Sequence, residues 1–355
     1  MVIKKDKIFR RKRFWAGLLL AQFLLFFILS KLKAAVVFFE YVFELKKTTH
    51  LKIFSWIPFS AGDFLYIILI ALISYLVINS IKKKTRNNSL LQLLVLLNLI
   101  YLIYQLLWGM LYFQEPIISK LSQKNPTADK AEKMALIYLE RCKQTRLLVT
   151  EDVNGVFTIK DFSKIENKVL RAQHELPNHL IDKDAVRENS FKPSIFKGVM
   201  SFSGILGYYN PFTAEAQYNS ELPKTFLPFT LAHESAHQMG FAREQEANFI
   251  AYLIGKNSDL PELRYSTEFF VLKSLLANIH QENPQFVEET VEKFSPGMKR
   301  DRAAERKFVE EHSGLLDSFF MFTNDLFLKA NQQEGSVTYS YFVDLLLRYE
   351  ENTDQ

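Results

Sequence analysis

The sequence predicts an α+β protein, mostly α, in which three transmembrane helices precede a larger domain with a small sheet and a metal-binding helix. Three observations carry this. Long apolar stretches occupy about 14–30, 64–81 and 90–113. Charge divides the chain at the same place, since residues 1–114 have 16 Lys+Arg against 4 Asp+Glu while 115–355 have 28 against 35, within a net +5. Finally, His233-Glu234-Ser235-Ala236-His237 sets two imidazoles one turn apart on one face of a helix.

The anchor comes first, at residues 1–114. Seven basic residues from Lys4 to Arg13 precede Phe14–Ser30, which is uncharged and just long enough to span a bilayer. No small-residue cleavage site precedes Lys31, so the segment reads as an anchor and not as a removed signal peptide. Ala34–Phe43 is apolar but too short to cross, and is expected along the interface or on the bundle. The second span is Phe64–Ile81. The third is Leu90–Phe113, with Trp108, Tyr112 and Phe113 expected as interfacial aromatics at its far end. Asn79, Asn98 and Gln105 inside the spans read as interhelical hydrogen-bonding groups.

Basic residues set the orientation. Eleven lie in the N-terminal tail and the loop after the second span, against five between spans one and two, so the N-terminus is expected in the cytoplasm. Residues 115–355 are then extracytoplasmic, in a multi-pass inner-membrane protein whose first partner is the lipid bilayer. The basic tail abuts a span without interleaved aromatics, which makes it topogenic and excludes nucleic acid as a partner.

Beyond Asn125-Pro126, Thr127 caps a helix to about Leu148, with Ala131, Met134, Ala135, Ile137, Tyr138 and Cys142 as an apolar stripe. Cys142 has no partner in the chain and reads as a buried small hydrophobe. A second helix is expected over Lys160–His179, with His174 and His179 on its surface. Ser194–Tyr209 is rich in β-branched and aromatic residues with glycine breaks and reads as strands; Ala214–Asn219 is another short strand.

The metal-binding helix begins near Pro228, a proline tolerated in a first turn, and ends at Gly240, three residues past His237. A structural zinc site is closed by four protein ligands, usually including cysteine, whereas a catalytic one keeps an open position. With Cys142 far away, the third ligand is expected to be a carboxylate. The next helix, Ala242 to about Gly255, carries Glu244 and Glu246, about 200° apart, so only one faces the metal. The face of Glu244 continues through Ala247, Asn248, Ala251 and Gly255, all small or polar. Glu244 is therefore the expected ligand of one Zn2+ with His233 and His237, and Asn248 the residue that orients a liganding histidine. Glu234 is placed to take a proton from zinc-activated water.

HESAHQMGFAREQEANFIAYL resembles the active-site region of gluzincin-type metallopeptidases, which carry HExxH and a downstream glutamate in an ExxxD or ExxxN context. GYYNPFTAEAQYN, residues 207–219, followed by HExxHxxGFxxExEAN, is similar to a bacterial membrane-anchored family, domain of unknown function 3810, and this resemblance covers most of the chain. It implies a zincin-like fold and peptidase activity, and brings no substrate. Where many gluzincins have aspartate, this chain has Asn248. Zincins bind the substrate backbone along an edge strand, a role the resemblance and sequence adjacency give to Ala214, Glu215, Ala216, Gln217, Tyr218 and Asn219.

After the motif the chain reads as helices at 267–280, 284–294, 299–315, 316–330 and 339–349. Tyr208, Tyr209, Tyr339, Tyr341, His280 and His312 are the candidates for an oxyanion donor. The expectation is a membrane-anchored zinc metallopeptidase acting on peptide or protein substrates of the cell envelope; the alternative is an inactive zincin-like scaffold or binding module.

Overall fold

A computed structural model describes residues 11–123, 126–314 and 338–353. Four helices come first: α1 Lys12–Leu29, α2 Lys33–Ser55, α3 Ala61–Ile81 and α4 Arg86–Leu107. Of these, α1, α3 and α4 are long and apolar enough to cross a membrane. Helices α1 and α4 run in the same direction, with Lys12 bonded to Asn87 at one end and Phe26 against Tyr101 toward the other. Between them Gln22 donates to Asn98 (3.0 Å), which donates in turn to the carbonyl of Trp15 (3.0 Å). The pair ties the two apolar helices together, while Gln22 Oε1 has no hydrogen-bond partner among the described residues. Helix α3 runs opposite, so Leu29, Ala61 and Leu107 share one end of the bundle.

One expectation about the anchor is corrected and another is met. Ala34–Phe43 belongs to a 23-residue helix, α2, and packs on the bundle, with Val36 buried beside Phe26 and the Phe39 ring against that of Phe26. Its Lys47 is buried, paired with Glu44 (2.6 Å) and donating to the carbonyl of Asp184 (2.7 Å), while Leu51 enters the main core. Moreover, the third long helix stops at Leu107, where Lys46 donates to the terminal carbonyl (3.0 Å), and Gly109–Phe113 turns as a 3-10 helix. Trp108 and Tyr112 are therefore buried, packed with Phe43, Leu111 and Ala242. An apolarity window cannot tell lipid contact from packing against a domain.

The remainder consists of α5 Ala128–Arg146, α6 Phe162–Ala172, β1 Phe191–Pro193, α7 Lys197–Ser203, β2 Gly207–Tyr209, β3 Ala216–Tyr218, α8 Leu227–Met239, α9 Glu244–Gly255, α10 Pro261–Ile279, α11 Pro284–Glu292, α12 Pro296–His312 and α13 Thr338–Thr353. The expected stripe of α5 is buried except Ile137, and burial pushes the Cys142 thiol up. Helix α6 ends before Pro177, leaving His174 and His179 exposed. Most of Ser194–Tyr209 is not strand: residues 197–203 form a helix whose left-handed cap, Gly204 (φ +69°), stops it. The helix expected at 316–330 lies outside the described residues.

The sheet has the order β1-β3-β2, with β1 parallel and β2 antiparallel to β3. Asn210-Pro211 turns the chain between β2 and β3. This overturns the assignment of Ala214–Asn219 to the substrate edge, because β3 is the central strand and both its edges are already paired. The outer strands are β1 and β2, and β2 is the one that packs on α8.

Candidate metal centre

Helix α8 is buried almost all round, with Leu231, Ala232, Ala236 and Met239 fully enclosed. Its alanines admit α9 at close range, and Ala247 and Ala251 answer them from the other side. Gly255, grouped with this face in sequence, packs instead on Thr267 of α10. Gly240 ends α8 in the left-handed region (φ +105°), with Gly240 N–H bonded to the carbonyl of His237 (2.9 Å) and Phe241 N–H to that of Ala236 (3.2 Å). A Cβ there would lie 2.7 Å from the ring of Phe43, so glycine is also required by the approach of α2. Three residues later α9 opens on Glu244, which returns to face α8.

His233, His237 and Glu244 converge. Their candidate ligand atoms all lie within 4.8 Å of one another. Glu244 Oε2 is 3.1 Å from His233 Nε2, and Oε1 is 3.6 Å from His237 Nε2. Each imidazole is held from behind by an acceptor: His233 Nδ1 donates to Asn248 Oδ1 (2.7 Å) and His237 Nδ1 to the carbonyl of Phe241 (2.6 Å). Protons on both Nδ1 atoms turn the two Nε2 atoms toward the carboxylate, where either a proton or a metal cation between them would satisfy the charge. Tetrahedral zinc ligands at about 2.0–2.1 Å lie roughly 3.3–3.4 Å apart, close to the two separations seen here. Two imidazole nitrogens and a carboxylate are donors of the kind that zinc takes.

Electrostatics point the same way. Burial acts to lower the His237 pKa, but the Glu244 carboxylate beside it reverses this and takes it up to about 9. Burial would raise Glu244, yet His237 and His233 hold it well below the usual carboxylate range. Glu234 is buried, and its Oε2 has no hydrogen-bond partner among the described residues. Burial pushes its pKa up to about 7, against the two histidines and with help from Glu244. A proton acceptor enclosed next to a candidate cation site is what water activation would need.

Glu246 points elsewhere, accepting the N–H of Ile117 (2.9 Å) and pairing with Arg243 (3.1 Å). Asn248 sits where the helical period put it. Of the proposed strand, Glu215 caps α3, Gln217 donates to Ser60 (3.1 Å), Asn219 donates to Ser201 (2.9 Å) and the carbonyl of Ala214 accepts from Gln238 (3.0 Å). Ala216 and Tyr218 are buried between β1 and β2. Among the oxyanion candidates, Tyr208 is bonded to Asp63, His312 to its own helix at Phe308 (2.7 Å), and His280 caps α10. Tyr341 is on α13, which packs on α9 and α10, and the side chain of Tyr339 lies outside the described residues.

Three residues were not assigned to the site from the sequence. Trp108 places its ring edge-on to His237 (centroids 6.0 Å apart, 80°) and donates to the Tyr112 hydroxyl (3.4 Å). Burial and the Glu244 carboxylate push the Tyr112 pKa well up, so its hydroxyl keeps its proton. A Cβ on Gly207 would come within 2.7 Å of Glu234 Oε1, so β2 passes directly over that carboxylate. The Asn210-Pro211 turn was the one available signal for this hairpin, and it left the edge strand open.

Searches of curated proteins and of solved structures give no match. The family model described as "Protein of unknown function (DUF3810)" matches residues 38–347. That span takes in α3 and α4 together with the His-His-Glu cluster, so the family unit includes membrane-length helices as well as the site. With nearly the whole chain matched, this protein belongs to the DUF3810 family.

Proposed function

We propose that this chain is a membrane-anchored, zinc-dependent peptide hydrolase of zincin type, with its larger part on the extracytoplasmic side. The observation that carries the reading is the convergence of two Nδ1-anchored imidazoles and the Glu244 carboxylate beside a buried Glu234 whose Oε2 has no hydrogen-bond partner among the described residues. His233, His237 and Glu244 would hold the ion, and Asn248 and the Phe241 carbonyl fix the two rings. A zinc ion bound there supplies Lewis acidity and lowers the pKa of water. Glu234 accepts the proton of the attacking water and returns it to the leaving amine. The Tyr112 hydroxyl, which feels the Glu244 charge, is the candidate donor to the developing oxyanion. Gly207 and Tyr209, on the open edge of the sheet, offer main-chain groups to an extended substrate.

The test uses the full-length chain purified in detergent. Zinc at about one ion per chain is expected. Glu234→Gln should keep that zinc and lose hydrolysis of an unbiased peptide library, while His233→Ala and Glu244→Ala lose both. Native and Glu234→Gln proteins that bind zinc and are equally inert would make the fold a scaffold or binding module instead.

A further inference from the structure

We infer that the substrate is itself a membrane-anchored polypeptide, cut within a few residues of the bilayer surface; the inference rests on the hydrolase reading above. The open sheet edge runs past the proposed base, as the Gly207–Glu234 contact shows. Hydrogen bonds from Asn210 N–H to the Glu215 carbonyl and from Asn219 N–H to the Leu206 carbonyl (both 2.9 Å) set the ladder's alternation. That alternation turns the peptide groups of Gly207 and Tyr209 away from β3, so a chain adding to this edge lies beside Glu234.

The same edge strand is seated on the candidate spans. The Tyr208 hydroxyl is bonded to Asp63 in the first turn of α3, and its ring stacks on Tyr66 of that helix (6.1 Å, 29°). The Tyr209 ring lies 4.5 Å from Trp108, the residue that follows α4. Thus β2 crosses the ends of two helices long enough to traverse a membrane.

Side chains on the surface mark the bilayer at that level. In the loop before α3, Trp56 is 81% exposed and Phe59 50% exposed. Ile195, in the turn before α7, forms an exposed apolar stripe with Val199 and Phe202 on the helix, and the Ile195 N–H is bonded to Asp63 (2.8 Å). An aromatic loop and an apolar stripe, both continuous with the start of a span, suit burial in the membrane interface. Helix α7 leads directly into β2, so the bilayer surface runs beside the substrate edge. A polypeptide held by its own span needs only a few extended residues, at about 3.3 Å each, to reach Glu234.

The experiment reconstitutes the full-length, zinc-loaded chain in phosphatidylethanolamine–phosphatidylglycerol vesicles. The probe is a library of single-span polypeptides whose span is followed by a randomised stretch of about forty residues, roughly 130 Å when extended. The same stretch without a span is offered free, and cut positions are read by mass spectrometry. Cuts are expected to cluster within about ten residues of the span, with the tethered library consumed about tenfold or more faster than the free one. Cuts spread evenly along the stretch, or equal consumption of both libraries, with Glu234→Gln inert, would overturn the inference and leave the hydrolase reading standing. No cutting of either library would overturn both.

Discussion

Glu215 accepts the backbone N–H of Gly62 at 2.6 Å, and that of Ala61 at 3.0 Å, so a buried carboxylate beside the central strand caps the N-terminus of α3. The negative charge also meets the positive end of the helix dipole. Gly62 fits under Asn210 and Gln217 only because it lacks a Cβ, which would come within 2.4 Å of the Asn210 amide. Glu215→Ala orphans two buried donors and is expected to cost about 2–4 kcal/mol. Thermal unfolding in detergent, with Gly62→Ala as a second probe of the same contact, measures it; unchanged midpoints in both would mean that α3 and the sheet are independent.

The anchor completes the domain and does not merely tether it. Residues 116–355 alone lack Phe43, Lys47, Asp63 and Trp108, each of which is buried against them. This fragment is expected to unfold without a cooperative transition and to bind no stoichiometric zinc, whereas residues 11–355 melt cooperatively and bind about one ion per chain. Circular dichroism melts and metal analysis of the two proteins decide it.

The two acidic residues of α9 should separate cleanly. Glu244→Ala is expected to lose zinc with the fold intact. Glu246→Ala should keep zinc and lose about 2–4 kcal/mol of stability, because Ile117 N–H and Arg243 are left without their acceptor. Asn248→Ala, which frees the His233 ring, should weaken zinc binding about 10–100-fold in chelator competition.

Tyr112→Phe removes the hydroxyl beside Glu244 and leaves the ring packed on Trp108. The expected result is a kcat about 10²–10³ lower with zinc content and KM unchanged. An equal loss in KM alone would assign Tyr112 to substrate binding.

His50 on α2 bonds through Nε2 to the carbonyl of Phe212 (2.9 Å). Burial, opposed by that bond and assisted by Lys46, lowers its pKa below the ordinary 6.5. A depressed folded-state pKa means that the unfolded chain takes up the proton first. Stability contributed by neutral His50 is therefore complete above pH 6.5 and is lost as pH falls from there through the folded value. Unfolding midpoints measured downward from pH 7 should decline, and His50→Gln should flatten that decline.

Much of the site was legible because it is local. HExxH spacing, the glycine stop after His237 and the helical period from Glu244 to Asn248 each depend on residues within a few turns, where backbone geometry is nearly fixed by sequence. Three long apolar stretches were legible for a similar reason, since bilayer thickness sets a length that composition must meet. What the tertiary structure decided is which surfaces meet. Tyr208 finds Asp63 across 145 residues and Glu215 finds Gly62 across 153. Neither partner is marked in the sequence, because a buried hydrogen bond constrains geometry and not spacing. The edge strand is β2 and not β3 because pairing order depends on the return of β1, remote in sequence. Trp108 and Tyr112 carry the composition of a membrane boundary, and only the packing of Phe43 and Ala242 around them brings Trp108 against His237.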